Sequence, residues 1–207
     1  MTIKDFGGRI ASVWEGLRPM TRSMLVGALQ TSGSSSSPNI KAPKFSYDAH
    51  ADWELSRLLS ALDEQSRTTD AQNDAETLDE MNKLADTCAS LLETQSGSAE
   101  VFIQLAERAL RRHDYKKLDR LADRLSERFS AGEIAEIIRQ TESPQIRAIA
   151  YETLATLPVN NVAPLLDDSL YTDIAAAALE QKAFEYDSEE AKEILDQFDA
   201  DAFRRNG

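Results

Sequence analysis

Seven apolar positions of this chain return twice. Leu118, Leu121, Ala122, Phe129, Ile134, Ile137 and Ile138 recur 28 positions later as Ile146, Ile149, Ala150, Leu157, Val162, Leu165 and Leu166. A further shift of 29 brings much of the pattern back as Ala175, Ala178, Leu179, Tyr186, Ala191, Ile194 and Leu195. Within each copy the residues fall at three- and four-residue steps, the spacing of one helix face. A unit of this length holds two short helices. It cannot bury its apolar face alone and must stack on its neighbours. The expected fold is therefore all-α: a right-handed α-solenoid of stacked antiparallel helix pairs.

Composition agrees with helices. Among 207 residues there are only 8 glycines and 6 prolines, too few for the turns of a β-rich fold. Aromatic residues make up 7%, so the packing must come mainly from Leu, Ile and Ala. The net charge of −13 is unevenly spread. Residues 1–46 carry six Lys/Arg and two Asp/Glu, whereas residues 47–207 carry 17 and 34. So acidic a body repels phosphate backbones and excludes nucleic acid as the expected ligand. It suits a basic partner. One cysteine, Cys88, excludes an intramolecular disulfide framework and points to a reducing compartment, the cytoplasm. No apolar run is long enough for an ordinary transmembrane helix, and no secretory signal pattern opens the chain.

Three segments are expected. Residues 1–30 form a separate, basic, amphipathic segment, with Phe6, Ile10, Trp14 and Leu17 at roughly helical spacing and a break at Pro19. Three roles fit it: a cap docked back on the solenoid, a segment that is disordered or folds only on a partner or membrane surface, and an organelle-targeting peptide. Asp5 and Glu15 count against the last. Residues 31–46 (TSGSSSSPNIKAPKFS) read as a flexible linker. Residues 47–207 form the acidic helical-repeat domain.

Within that domain Leu55, Leu58, Leu59 and Leu62 mark a first buried face, with Trp53 near its start, and residues 66–73 read as a loop. The next helix runs from about Asp74 to Glu93, with Cys88 inward. Later helices carry start signals. Ser130 with Glu133 has the spacing of a capping box, and Ser143 followed by Pro144 joins a side-chain acceptor to a preset first turn. Asn160 or Asn161 is suited to cap the following helix, and Ser188 the last.

Residues 143–157, with Pro144, Arg147, Ala150 and Leu154, resemble the first helix of a short-period HEAT-type repeat. Residues 102–125 resemble instead a tetratricopeptide hairpin turning at Asp114-Tyr115, although that family usually has glycine where His113 stands. The likeness covers about residues 98–198 and implies a curved scaffold that binds proteins or peptides.

No residue set carries recognisable chemistry, and the chain is expected to be non-catalytic, without cofactor or metal. Cys88 lies on an apolar helix face, where a structural thiol is expected. His50 and His113 are isolated and suit exposed positions, not a zinc site. Asp70 and Asp74 lack the glycine and glutamate of a calcium loop. Asp167-Asp168 and Glu189-Glu190 fit helix ends. The candidate partner-binding feature is a basic ridge of Lys116, Arg120, Arg124 and Arg128 beside an acidic one of Asp119, Asp123 and Glu127, with Arg108, Arg111 and Arg112 just upstream. The second candidate is the Phe6, Ile10, Trp14, Leu17 face within residues 3–29, as a membrane or partner segment. Two functions follow: a protein-binding scaffold, or a peripheral membrane adaptor anchored by that segment.

Overall fold

The structure, a computed structural model, describes residues 6–32, 47–67 and 75–206, with the side chains of 31, 32, 199 and 201–206 left aside. Among the described residues every regular element is helical, so the chain is all-α. In order these are α1 (Gly8–Gly16), α2 (Pro19–Ser32), α3 (Ala49–Gln65), α4 (Ala75–Gln95), α5 (Ala99–Arg111), α6 (Tyr115–Arg128), α7 (Ala131–Gln140), α8 (Pro144–Thr156), α9 (Val159–Val162), a 3₁₀ segment (Ala163–Asp167), α10 (Thr172–Glu185) and α11 (Glu189–Asn206). The expected linker falls almost wholly outside the described residues, as do most of the loop at 66–73 and both Asp70 and Asp74.

The chain divides into two compact units between Ser96 and Gly97, not at 31–46 as the composition suggests. The physical reason is burial. Residues 1–30 are not set apart: α1 packs on α3, and α2 packs on α3 and α4. Pro19 does break the segment, standing as the first residue of α2, where its missing N–H costs nothing. Phe6, Ile10, Val13, Leu17 and Leu25 are buried in this first unit, together with the leucines of α3 and Met81, Cys88 and Leu92 of α4. Trp53 is an exception to its expected place. Helical rotation carries it to the side opposite Leu55 and Leu59, and it is 55% exposed.

In the second unit the helices lie in two rows. Along one, α5 packs on α7 and α7 on α9. Along the other, α6 packs on α8 and α8 on α10. Across the rows α5 meets α6, α7 meets α8, and the 3₁₀ segment meets α10, which also packs on α11. Two of the seven repeat-related sets are buried in all three copies, Leu118, Ile146 and Ala175 and then Ile134, Val162 and Ala191, whereas Phe129 and Leu157 are half-buried and their counterpart Tyr186 is exposed.

Helix ends explain the junctions. Asp114 accepts the Lys117 amide at 3.0 Å and starts α6. Just before it, α5 ends in a Schellman turn: the His113 amide bonds the Leu110 carbonyl at 3.1 Å and the Asp114 amide bonds Ala109 at 2.9 Å. His113 takes φ 55°, a left-handed conformation that favours glycine. Ser143 caps α8 with Pro144 in its first turn, and Ser188 accepts the Ala191 amide at 3.3 Å to start α11. Asn160 and Asn161 do not cap α9. They lie inside it, because the helix already begins at Val159, with Pro158 at the cap. Ser130 accepts the Glu133 amide at 3.2 Å, but the box is only half formed. The Glu133 carboxylate reaches across to the Ala99 amide at 2.9 Å and caps α5, whose own Ser98 makes no side-chain cap.

Candidate functional site

The first unit holds a buried carboxylate. Glu54 on α3 is 2% exposed, and it grips the junction between α1 and α2. It accepts the Arg18 backbone amide at 2.7 Å, the Arg18 Nε at 3.1 Å and the Thr21 hydroxyl. The carboxylate thus holds the residue just before α2 through the Arg18 amide and the first turn of α2 through the Thr21 hydroxyl. Arg18 then forks onto Asp48 at 2.9 and 2.7 Å, and Asp48 in turn caps α3 through the Ala51 amide at 2.8 Å. Burial opposes the charge on Glu54. The hydrogen bonds from Thr21 and Arg18 outweigh it and hold the carboxyl below the usual range. The Arg18 fork likewise depresses Asp48. Beside this network Asp52 accepts the Tyr47 hydroxyl and, at 2.9 Å, the Ser96 hydroxyl. Burial and that bond raise the Tyr47 phenol. These groups are bonded to each other. The cluster fastens helices together.

A second cluster lies in the other unit. Glu136 of α7 accepts Arg139 Nε at 2.7 Å, the Gln140 amide and the Tyr171 hydroxyl at 2.9 Å. Arg139 is the main cause that brings its carboxyl down to about 2, and Glu136 in turn raises the Tyr171 phenol. The row from α8 to α10 is closed by Lys182, whose ammonium donates to the Ala155 carbonyl at 3.0 Å in the last turn of α8. Tyr186 donates to Glu152.

The candidate residues distribute unevenly. Lys116, Arg120 and Arg128 are exposed along α6, Arg124 is half-buried, and Arg111 and Arg112 are exposed at the end of α5. Arg111 pairs with Glu107 at 3.4 Å. Arg108 does not join the ridge. It is 8% exposed, on the inward side of α5 with Leu105 and Ala109. Of the N-terminal candidates, Phe6, Ile10 and Leu17 are turned into protein and Trp14 is half-buried, so they form no open face. Cys88 is fully buried, while His50 and His113 are exposed. Among the described residues no group of His, Cys, Asp or Glu is placed to hold a metal ion, and no helix is long and apolar enough to cross a membrane. A shallow groove of about 410 Å³ lies between the 3₁₀ segment and α11, with Pro164, Leu166, Ile194 and Phe198 on its walls. Compared with family models, curated proteins and solved structures, the chain matches none.

The periodicity did not point to Glu54 or Glu136. Glu54 had one signal: it stands one turn before Leu58, so an acid there falls within the inward arc of α3. Its partner Arg18 lies 36 residues away, and nothing in the sequence links the two.

Proposed function

We propose that the chain is a non-catalytic interaction scaffold built on helical repeats, and that its second unit is a short right-handed α-solenoid of stacked antiparallel helix pairs. The observation that carries this reading is the pair of repeat-related buried sets, Leu118, Ile146, Ala175 and Ile134, Val162, Ala191, on helices packed row by row. Support for the HEAT-like and tetratricopeptide-like resemblance comes from Pro144 at the start of α8 and from His113 in a glycine-like conformation. Such an array offers extended surface and little enclosed volume, which suits a protein or peptide better than a small molecule. With 34 acids against 17 bases in residues 47–207, a basic or amphipathic segment is the complementary partner, met in the cytoplasm. Crosslinking of the full chain in its native lysate, followed by mass spectrometry, tests the scaffold. The expected result is recurrent crosslinks from Lys116, Lys117 or Lys192 to one protein. A monomer with no recurrent partner contradicts it.

A second reading, a peripheral membrane adaptor, draws on the excess of bases in residues 1–46. It requires α1 and α2 to leave α3 and α4, because Ile10, Val13, Leu17 and Leu25 are buried, although Met20 and Val26 are exposed. Flotation on anionic vesicles, with and without residues 1–46, tests it: loss of flotation on truncation supports the adaptor, and equal behaviour removes it.

A further inference from the structure

The row of helices that runs through α5, α7 and α9 opens at its far end. α5 has 13 residues and α7 has 10, and the two pack on each other. α9 has only 4. Pro164 has no N–H for the Asn160 carbonyl, so the α-helical ladder stops at Val162 and the chain continues as the 3₁₀ segment. Among the described residues, neither α9 nor the 3₁₀ segment packs on α11 as α5 packs on α7. The 3₁₀ segment and α11 are each held by α10 instead. The gap between them is the groove of about 410 Å³. Ala163, Pro164 and Leu166 give it one apolar wall, and Ile194 and Phe198 the other.

The charge around this groove has one sign. Its lining includes the exposed Asp167 and no base. Glu190 and Glu193 are exposed on α11, each one turn before a lining residue, Ile194 and Gln197, so they stand on the same side of that helix. The two lysines of this end of the unit are engaged: Lys182 with the Ala155 carbonyl, and Lys192 with Asp187 and Glu189. Residues 157–207 carry twelve acids against four bases, Arg204 and Arg205 included.

A shallow apolar groove among acids selects its occupant. A small molecule keeps too much of its surface in water there. A second copy of the chain, at net charge −13, is repelled, and so are an anionic membrane and a nucleic acid. A basic amphipathic helix fits both features, because its apolar stripe enters between the walls while its lysines or arginines meet the carboxylates. We propose that the groove between the 3₁₀ segment and α11 is the docking site for such a helix of a partner protein. The partner helix fills the space that the short α9 leaves in the row. This inference rests on the scaffold reading and deepens it, by naming the surface and the form of the basic partner.

The test is anisotropy of a labelled leucine–lysine peptide, with leucine at three- and four-residue steps, titrated with the full-length chain. A scrambled peptide of the same composition and a leucine–glutamate version are the other arms. The first peptide is expected to bind with salt-sensitive affinity, and the other two roughly tenfold more weakly or worse. Gln197→Arg and Asp167→Lys place positive charge on the groove walls and should each weaken binding by roughly tenfold. Both positions are exposed, so thermal melts of these variants should match the parent chain, which separates a binding defect from misfolding. Glu180→Lys and Phe184→Ala alter an exposed acid and an exposed aromatic of α10 outside the groove, and should bind as the parent does. A loss from Glu180→Lys as large as from Asp167→Lys would show attraction to net charge alone and overturn the proposal. No binding, binding that ignores both groove variants, or equal binding of the scrambled peptide would overturn it too. If lysate crosslinks still lead to one recurrent protein in those cases, the scaffold stands without this groove.

Discussion

Glu54 is the residue on which the first unit turns. It is almost wholly buried, and its charge is held there by Arg18 and Thr21, with the His50 imidazole 3.7 Å away. Replacing it by alanine leaves the Arg18 amide and guanidinium without that acceptor. Urea unfolding should show a loss of about 3 kcal/mol, at the low end for a broken buried pair because Arg18 keeps partial access to water. The pH dependence has a definite sign. The folded-state carboxyl lies below its unfolded value, so its contribution is full above about pH 4.3 and is lost as pH falls through the folded value. Melting temperatures of the parent chain should therefore fall on acidification, and Glu54→Gln should show a shallower fall. An equal slope in both would remove Glu54 from the linkage. Periodicity sorts apolar from polar positions. It cannot show a carboxylate whose partner arrives from another helix, and for the same reason it placed Arg108 on the surface and Trp53 near the core.

Helix ends were better expressed in the sequence, since a cap depends on residues three or four apart. Ser130, Ser143 and Ser188 start helices as their types predict. The exceptions have physical causes. Pro158 terminates the preceding turn so closely that α9 begins before either asparagine. Glu133 finds a better partner than its own helix offers, the Ala99 amide of α5. Glu133→Ala should therefore destabilise by about 1.5 kcal/mol, the worth of one hydrogen bond to a charged group. Hydrogen exchange should show the first turn of α5 losing protection, as well as that of α7. If only α7 responds, the cross-helix cap contributes nothing. At the other end of α5, His113 occupies a left-handed Schellman position. His113→Gly should raise stability by about 0.5–1 kcal/mol by relieving the Cβ penalty, read from the urea midpoint. A fall would mean that the contact of the His113 ring with Tyr115 outweighs it.

For the molecule as a whole, the sequence expressed the all-α class and, at part of the repeat positions, the phase of burial in the second unit, while Tyr186, another repeat position, is exposed. Both follow from local repetition. The division of the chain was not expressed. Serine, proline and a change of charge at 31–46 mark a break in composition, while Ile10, Val13, Leu17 and Leu25 are buried by contacts of α1 and α2 with α3 and α4 that lie far apart in sequence. A stack of helix pairs has a testable energetic signature, because each pair is coupled chiefly to its neighbours. Ala178 is fully buried in α10, and a charge placed there has no partner. Hydrogen exchange of full-length Ala178→Asp, read by mass spectrometry, tests the repeat array most directly. Amides of α10, α11 and the 3₁₀ segment should lose protection, while those of α5 and α6 keep near-parental rates. Equal loss of protection from α5 through α11 would show a single cooperative core and contradict the repeat scaffold.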